Sequence, residues 1–168
     1  MPTINSINSN IPIEISKGGT NLTTQTYFEA YLSASQNFPC ASAAEKVIFD
    51  TEIVDIGGAY DHTTGVFTAP ATGFYVFFMA LYFASFGAGT TTVLMAIKGS
   101  VNSIRTNQQA ASGGSVVATA SLCLQMTAGD TIYVQPYEDG VGNFSIYGAA
   151  PNSGVLSGFT FFSGYRIA

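Results

Sequence analysis

The side chains with the widest range of chemistry stand in a loop that begins at Tyr60, where Asp61 precedes His62, the only histidine in the chain. A Ser-His-Asp hydrolase would need an exposed serine and an orienting carboxylate around that histidine, and no nucleophile motif accompanies Asp61. The sequence also lacks a phosphate-binding glycine loop, an H-E-x-x-H motif and a C-x-x-C motif. We therefore predict no enzyme activity and interpret His62 as a solvent-exposed loop residue.

Binding is the chemistry that such loops suit better, because binding residues concentrate in loops that a rigid scaffold positions. Three loops are candidates: 60–62, 86–90 and 137–143. Their tyrosine rings could stack on a sugar, and their polar groups could bond to its hydroxyls. The alternative is that Asn, Asp and Gly stand there only because turns require them. The candidate ligand-binding residues are Tyr60, Asp61, His62, Tyr137, Glu138, Asp139 and Asn143.

The elements that must position these loops read as short strands separated by Gly, Pro, Asn and Asp. The predicted strands are 26–33, 47–54, 58–60, 66–68, 73–85, 91–98, 103–109, 115–126, 131–137, 143–147 and 158–167. No window shows a sustained helical period. Many short strands at this spacing predict an all-β sandwich or jelly roll.

Two strands carry further information. Gly73–Ser85 is apolar on both faces, whereas an antiparallel strand with one wet face alternates apolar and polar residues. One face can fill the sandwich, and a neighbouring subunit would cover the other. Ser115–Met126 alternates, with Val, Ala, Leu and Met on one face and mostly Thr, Ser, Cys and Gln on the other.

Composition favours an oligomer and excludes two classes of partner. Charged residues make up 9% of the chain, against a usual share of about 25%, so a monomer would struggle to cover its surface. The net charge is −5, and five scattered basic residues form no patch for nucleic acid or an anionic membrane. No run approaches the ~20 apolar residues of a spanning helix. We predict that the two cysteines are separate small core residues and do not form a disulfide.

Residues 1–25 differ from the rest and are interpreted as an N-terminal arm or linker, with the domain in 26–168. The arm is rich in Asn, Ser, Thr and Ile and contains no Sec-type signal peptide. Ile15–Thr20 resembles the I-x-x-G-G-T elements of phage tail-fibre and related surface proteins. Export by another route and assembly in a virion both stay open.

The remaining sequence resembles the globular head of complement C1q, a member of the C1q and tumour-necrosis-factor superfamily. The strongest element is the G-x-F-x-x-P-x-x-G-x-Y-x-F pattern that starts at Gly65. The resemblance extends from about Tyr27 to Ile167. Its elements are Tyr27–Ser33, Val47–Asp50, Gly58–Asp61, Thr64–Pro70, Gly73–Phe77, Ala128–Tyr133 and Phe162–Ile167.

The resemblance implies a jelly roll of about ten strands in two five-stranded sheets, assembled as a homotrimer. It places Phe67, Tyr75, Phe77 and Phe162 in the core, with glycine turns at Gly65 and Gly73 and a corner at Pro70. Some relatives hold calcium through loop carboxylates and carbonyls, which here would be Glu138 and Asp139. Calcium takes six to eight oxygens, so two acids suffice only if three subunits pool theirs. A solvated acidic loop is therefore favoured, and no other cofactor is predicted.

These observations give two hypotheses for function. The preferred one is a non-enzymatic trimeric head, on an extracellular or virion surface, that binds a protein or glycan ligand by avidity. The alternative is a structural trimerisation knob at a fibre tip. The short arm in place of a collagen stalk suggests a microbial or viral member of the fold, and a short invertebrate C1q-like protein stays open.

Overall fold

The computed structural model describes residues 25–40, 45–84, 91–99, 101–109, 114–140, 142–149 and 160–167. Within these ranges the chain forms twelve β-strands and no helix. They are β1 (Tyr27–Tyr31), β2 (Ala34–Pro39), β3 (Thr51–Ile56), β4 (Tyr60–Asp61), β5 (Val66–Thr68), β6 (Gly73–Ala84), β7 (Thr91–Lys98), β8 (Val101–Gln109), β9 (Val116–Met126), β10 (Thr131–Glu138), β11 (Asn143–Ala149) and β12 (Phe161–Arg166).

The strands pair into two antiparallel sheets, which confirms the all-β jelly-roll prediction. The larger sheet has the order β2-β11-β6-β12-β1-β3, and β9 pairs with the other edge of β6. The smaller sheet has the order β4-β5-β10-β7-β8. The larger sheet has two strands more than the five expected, because β2 and β11 extend it. Strand β6 is its centre, since it pairs with β9 over eleven residues from Gly73 to Phe83.

Strand β2 was not predicted, because its sequence A-S-Q-N-F-P is mostly polar and ends in proline. Tertiary contacts hold it instead. It pairs with β11, and the side-chain amide of Gln36 both donates to the carbonyl of Ile48 and accepts from its backbone N–H. Residues 47–49 were predicted to begin a strand, but β3 begins only at Thr51. Val47 and Phe49 nevertheless point into the core and are fully buried.

The core between the sheets is built from closely packed aromatic rings, including the four residues that the family resemblance places there. Phe67, Tyr75, Phe77 and Phe162 are fully buried. Phe28 joins them, with its ring centroid 4.9 Å from that of Phe162 and 5.1 Å from that of Phe67. The rings leave little free space around β12, where a Cβ on Gly164 would lie 2.5 Å from Cδ1 of Phe77.

Gly65 is required both by backbone conformation and by a close approach. Its φ of +71° is a region that side chains disfavour, and a Cβ there would lie 2.5 Å from the carbonyl oxygen of Val47. Gly73 has no such constraint, because it begins β6 with an ordinary backbone φ. Pro70 lies exposed at the bend before that strand. The sheets therefore carry the loop of residues 61–65 on a fixed corner of the sandwich.

Candidate functional site

The loop at Asp61 is held by its own hydrogen bonds. The backbone and hydroxyl of Thr63 donate to Asp61 Oδ1 at 2.8 and 2.6 Å, and the Thr64 hydroxyl donates to Oδ2 at 2.8 Å. These bonds, those from Thr63 foremost, lower the pKa of the Asp61 carboxyl to about 2. His62 Nδ1 lies 3.0 Å from Glu52 Oε1, and the histidine side chain is 53% exposed. The exposed loop histidine predicted from the sequence is confirmed.

Tyr60 differs from its neighbours because it faces the core. It is 5% exposed, its hydroxyl donates to the carbonyl of Phe49 at 3.1 Å, and its ring stacks 4.9 Å from that of Phe28. Burial raises the pKa of this phenol. In this subunit Tyr60 therefore offers no ring to an external sugar, and the loop's accessible groups are Asp61 and His62.

In the second candidate loop Glu138 is also buried, at 3% exposure. Strand β10 extends one residue further than predicted, so Glu138 follows Ile132 and Val134 on the inward face. The Cys40 thiol donates to Glu138 Oε2 at 3.4 Å. Burial raises the pKa of Glu138, and burial together with the Glu138 carboxylate raises the pKa of the Cys40 thiol to about 11. The thiol therefore stays protonated and acts as a hydrogen-bond donor.

The remaining groups of this loop face outward. Asp139 and Asn143 are exposed and Tyr137 is half-buried. Glu138 and Asp139 thus point to different environments, although they are adjacent in sequence. Across the described ranges, no three His, Cys, Asp or Glu side chains lie close enough to share a metal ion. A calcium site at Glu138 and Asp139 stays a prediction, and one subunit's acids alone do not form it.

The two candidate loops do not form one site. Asp61 pairs with Val66 on β5, and Val66 pairs with Tyr133 on β10. Glu138 is five residues further along β10, or about 17 Å at the rise of a strand. The remaining candidate loop, 86–90, lies outside the described residues. Each loop must therefore be tested as a separate binding site.

Among the described residues, large exposed apolar side chains cluster on a sheet rather than in a loop. We call it the aromatic face: the outward side chains of β1, β6, β9 and β12 in the larger sheet, with Ile56 and Ile167 at its margin. Phe74 is 48%, Phe78 41% and Tyr165 37% exposed. The rings of Phe78 and Tyr165 stack with centroids 6.3 Å apart. Isolated exposed apolar residues are ordinary, but a contiguous patch marks an interaction surface.

The aromatic face is almost uncharged. Along β6, β9, β12 and β1 its outward residues are Phe74, Val76, Phe78, Ala80, Tyr82, Thr119, Ser121, Cys123, Gln125, Phe161, Ser163, Tyr165, Tyr27, Glu29 and Tyr31. Glu29 is the one charged residue of this set, and its carboxylate accepts a hydrogen bond from the Tyr27 hydroxyl at 2.8 Å. A depression of about 320 Å³ opens on this face between Phe78 and Phe161.

The sequence predicted half of this surface. Strand β6 has its inner residues buried and Phe74 and Phe78 exposed, as its two apolar faces indicated. The alternation of β9 is confirmed too, with residues 119, 121, 123 and 125 exposed. Both described cysteines are free, but Cys123 is exposed on this strand instead of lying in the core. The contribution of Tyr165 was missed, although the alternation in the last strand could have shown it.

The comparisons with known proteins agree with this architecture. The family model of the C1q domain matches residues 28–165. The globular domain of zebrafish complement 1qA protein superimposes with a TM-score of 0.57 at 16% identity, covering 85% of this chain and 98% of that chain. Murine APRIL at pH 8.5 superimposes with a TM-score of 0.58 at 12% identity, covering 85% of this chain and 99% of that chain. Eiger TNF from S. frugiperda superimposes with a TM-score of 0.56 at 14% identity, covering 86% of this chain and 92% of that chain.

At these identities the likeness to solved structures shows the fold alone. Among curated protein sequences no significant match was found. In the part of the chain that the structure describes, no helix has the length and apolar character needed to cross a membrane.

Proposed function

Since the chain belongs to the C1q domain family, we propose that it is a non-enzymatic homotrimeric binding head. It is displayed outside a cell or on a virion and holds a surface protein or glycan through repeated weak sites. Three copies of one site raise the effective affinity by avidity, without requiring a deep pocket in any subunit.

The observation that carries this proposal is the aromatic face. Each subunit has a net charge of −5, so two copies repel unless they meet through surfaces free of charge. The aromatic face comes close to it, because Glu29 is the one charged residue of its outward set. Four or five strands at about 4.8 Å spacing, over about 25 Å of strand, give it an area of roughly 600 Å². A stable interface buries about 800 Å² on each partner, so this face supplies most of one interface.

Recognition then falls to surfaces that assembly through this face leaves free. The loop with Asp139 and Asn143 and the loop with Asp61 and His62 are the two described candidates, and both present exposed polar groups. Hydroxyl-rich glycans and polar protein surfaces are the ligands that suit such groups, because each offers both donors and acceptors.

Two measurements test the proposal. Light scattering should give the mass of a trimer, and the trimer should then bind members of an immobilised panel of glycans and extracellular protein domains. The two loops serve as matched controls for each other, because they are separated by about 17 Å in the direction of strand β10. Asp139→Ala with Asn143→Ala, or Asp61→Ala with His62→Ala, should abolish binding in one case and spare it in the other. A trimer that retains binding after both pairs of changes contradicts the loop sites.

One observation favours a second candidate, a structural trimerisation knob. Several polar groups of the predicted ligand loops are engaged within the subunit: Asp61 by two threonines, His62 by Glu52, and Glu138 by Cys40. A knob needs the trimer but no ligand. It would bind nothing in the panel, and its removal from the parent fibre would abolish assembly of that fibre.

A further inference from the structure

Among the described residues, three of the six large apolar side chains that are exposed gather where the chain enters the larger sheet. Ile56, Phe74 and Ile167 are 52%, 48% and 47% exposed. Tyr27, at the start of β1, pairs with Ile56 on one side and with Tyr165 on the other. The backbone N–H of Ile167 donates to the carbonyl of Phe74 at 2.8 Å. We call the side chains of residues 56, 74 and 167 the entry patch.

The entry patch lies on the outer side of the larger sheet, on both sides of the incoming chain. Directly paired residues of antiparallel strands share a face, so Ile56 lies on the face of Tyr27 and Tyr165. Alternation along the chain places Ile167 on the face of Tyr165. The patch runs from β3 past the start of β1 and the end of β12 to β6, which is three strand spacings or about 14 Å.

The segment that leads into this point has side chains of the right kind and spacing to cover the patch. Residues 1–24 lie outside the described ranges and continue directly into Gln25. Every second residue from Ile11 through Ile13 to Ile15 is isoleucine, an alternation typical of an extended segment with one apolar face. In extended form these three side chains span about 13 Å, which matches the length of the patch.

Connection to the same chain makes weak contacts sufficient. The ten residues from 16 to 25 reach up to about 33 Å when extended, so the linker can return residues 11–15 to a patch about 14 Å long. Gly18 and Gly19 allow the reversal, because glycine accepts backbone conformations that other residues disfavour. A short tether holds its segment at an effective concentration in the millimolar range, which a separate partner would have to supply in solution.

We infer that Ile11, Ile13 and Ile15 of the N-terminal arm pack across the entry patch of their own subunit. The arm then shields the patch from water and fixes the direction in which the chain leaves the domain. The patch lies at the margin of the aromatic face, so the stacked rings of Phe78 and Tyr165 stay available for assembly. The inference depends neither on the trimer nor on a ligand of the proposed function, and its tests apply to a monomer as well.

Tryptic cleavage after Lys17 measures how often the arm leaves the patch. No other Lys or Arg precedes Lys46, so the full chain releases one arm peptide that intact-mass spectrometry can follow. Ile56→Ser should speed this cleavage about fivefold, because it removes part of the apolar contact. Ile53→Ser is the matched control: Ile53 is 58% exposed on the same strand, but lies about 10 Å further from the entry point. Equal rates in the two variants overturn the inference.

Changes within the arm give the same measurement without touching the domain. Ile13→Ser should speed cleavage after Lys17 about fivefold, whereas Ile7→Ser, outside the docked segment, should leave the rate unchanged. Combining Ile13→Ser with Ile56→Ser should add little to either change alone, because the two side chains belong to one contact. Fully additive effects, or equal rates in the Ile13 and Ile7 variants, overturn the inference.

A crosslink identifies where the arm lies and on which copy. A photo-crosslinking residue in place of Ile13 should join the arm to a peptide that contains Ile56, Phe74 or Ile167. Mixing isotope-labelled with unlabelled chains before irradiation distinguishes links within one chain from links between chains, and the link should lie within one chain. A link to any other segment, or only between chains, overturns the inference.

Discussion

Replacing Phe78 with serine should weaken the trimer strongly, in addition to the stability that the subunit loses with the covered part of the ring. The ring is 41% exposed in the subunit. A phenylalanine exposes about 200 Å² when free, so assembly would cover about 80 Å² of it. At about 25 cal/mol per Å², that is ~2 kcal/mol for each subunit and ~6 kcal/mol for each trimer. The trimer dissociation constant should rise by roughly four powers of ten.

The quantity to measure is the protein concentration at which half of the trimer has dissociated. For a trimer this concentration varies as the square root of the dissociation constant, so Phe78→Ser should raise it roughly a hundredfold. Sedimentation equilibrium gives the value directly. The matched control is Tyr133→Ser, which removes a half-buried ring from the other sheet, where Lys46 lies 5.3 Å from the ring centroid.

Two results would refute this reasoning. If Phe78→Ser and Tyr133→Ser dissociate at the same concentration, the aromatic face is not where subunits meet. If Phe78→Ser lowers the unfolding free energy of the dissociated subunit but leaves the half-dissociation concentration of the trimer unchanged, assembly does not cover the exposed part of the ring.

Three further predictions concern the subunit itself. Gly164→Ala should lower the free energy of unfolding by about 1–3 kcal/mol, because its Cβ would lie 2.5 Å from Phe77 Cδ1. The melting temperature should fall by about 2–4 °C for each kcal/mol. A variant as stable as the wild type would show that the Phe77 ring can move aside. Burial raises the pKa of Glu138 above its usual 4.5, so the folded chain keeps a proton that the unfolded chain has lost. The free energy of unfolding should therefore rise as the pH falls through that window towards 4.5, and Glu138→Gln should remove this slope in urea titrations. Asp61 should change the unfolding free energy in the opposite direction. Its pKa is lowered from 3.8 to about 2, so its contribution to the unfolding free energy is complete above pH 3.8 and is lost as the pH falls towards 2. Asp61→Asn should remove this fall in the unfolding free energy between pH 3.8 and 2. An unchanged fall would show that the hydrogen bonds from the two threonines do not form in solution.

The strand pattern could be predicted from the sequence wherever apolar residues alternate or run continuously. Strands β6 and β9 are such cases, because the order of apolar and polar residues along each strand indicates whether one or both of its faces are buried. Strand β2 could not be predicted, since a polar edge strand owes its conformation to pairing with β11, which is more than 100 residues away. Local preference says little when the partner is so distant.

The site was harder to predict than the fold, for a reason that Glu138 illustrates. Its type and its place beside Asp139 and a glycine indicate a solvated turn. Its actual environment depends on whether β10 ends before or after it, and a single residue reverses the face on which a strand side chain lies. Tyr60 was misjudged for the same reason, since an aromatic residue in a short strand can serve the core or a ligand. No signal within the loops separates these two roles.

The two faces of β6 explain how one strand serves both folding and assembly. Its inner residues, with the ring of Phe77 at the centre, seal the sandwich without help from another subunit, so the subunit can fold before it assembles. Its outer residues contribute little to that core, since Phe74 and Phe78 stay exposed. Substitutions on the outer face should therefore change the association of subunits that are already folded, and substitutions on the inner face should change the folding on which association depends. Phe78→Ser and Gly164→Ala probe the two faces separately. The first should change the concentration at which the trimer dissociates, and the second should lower the unfolding free energy of the dissociated subunit.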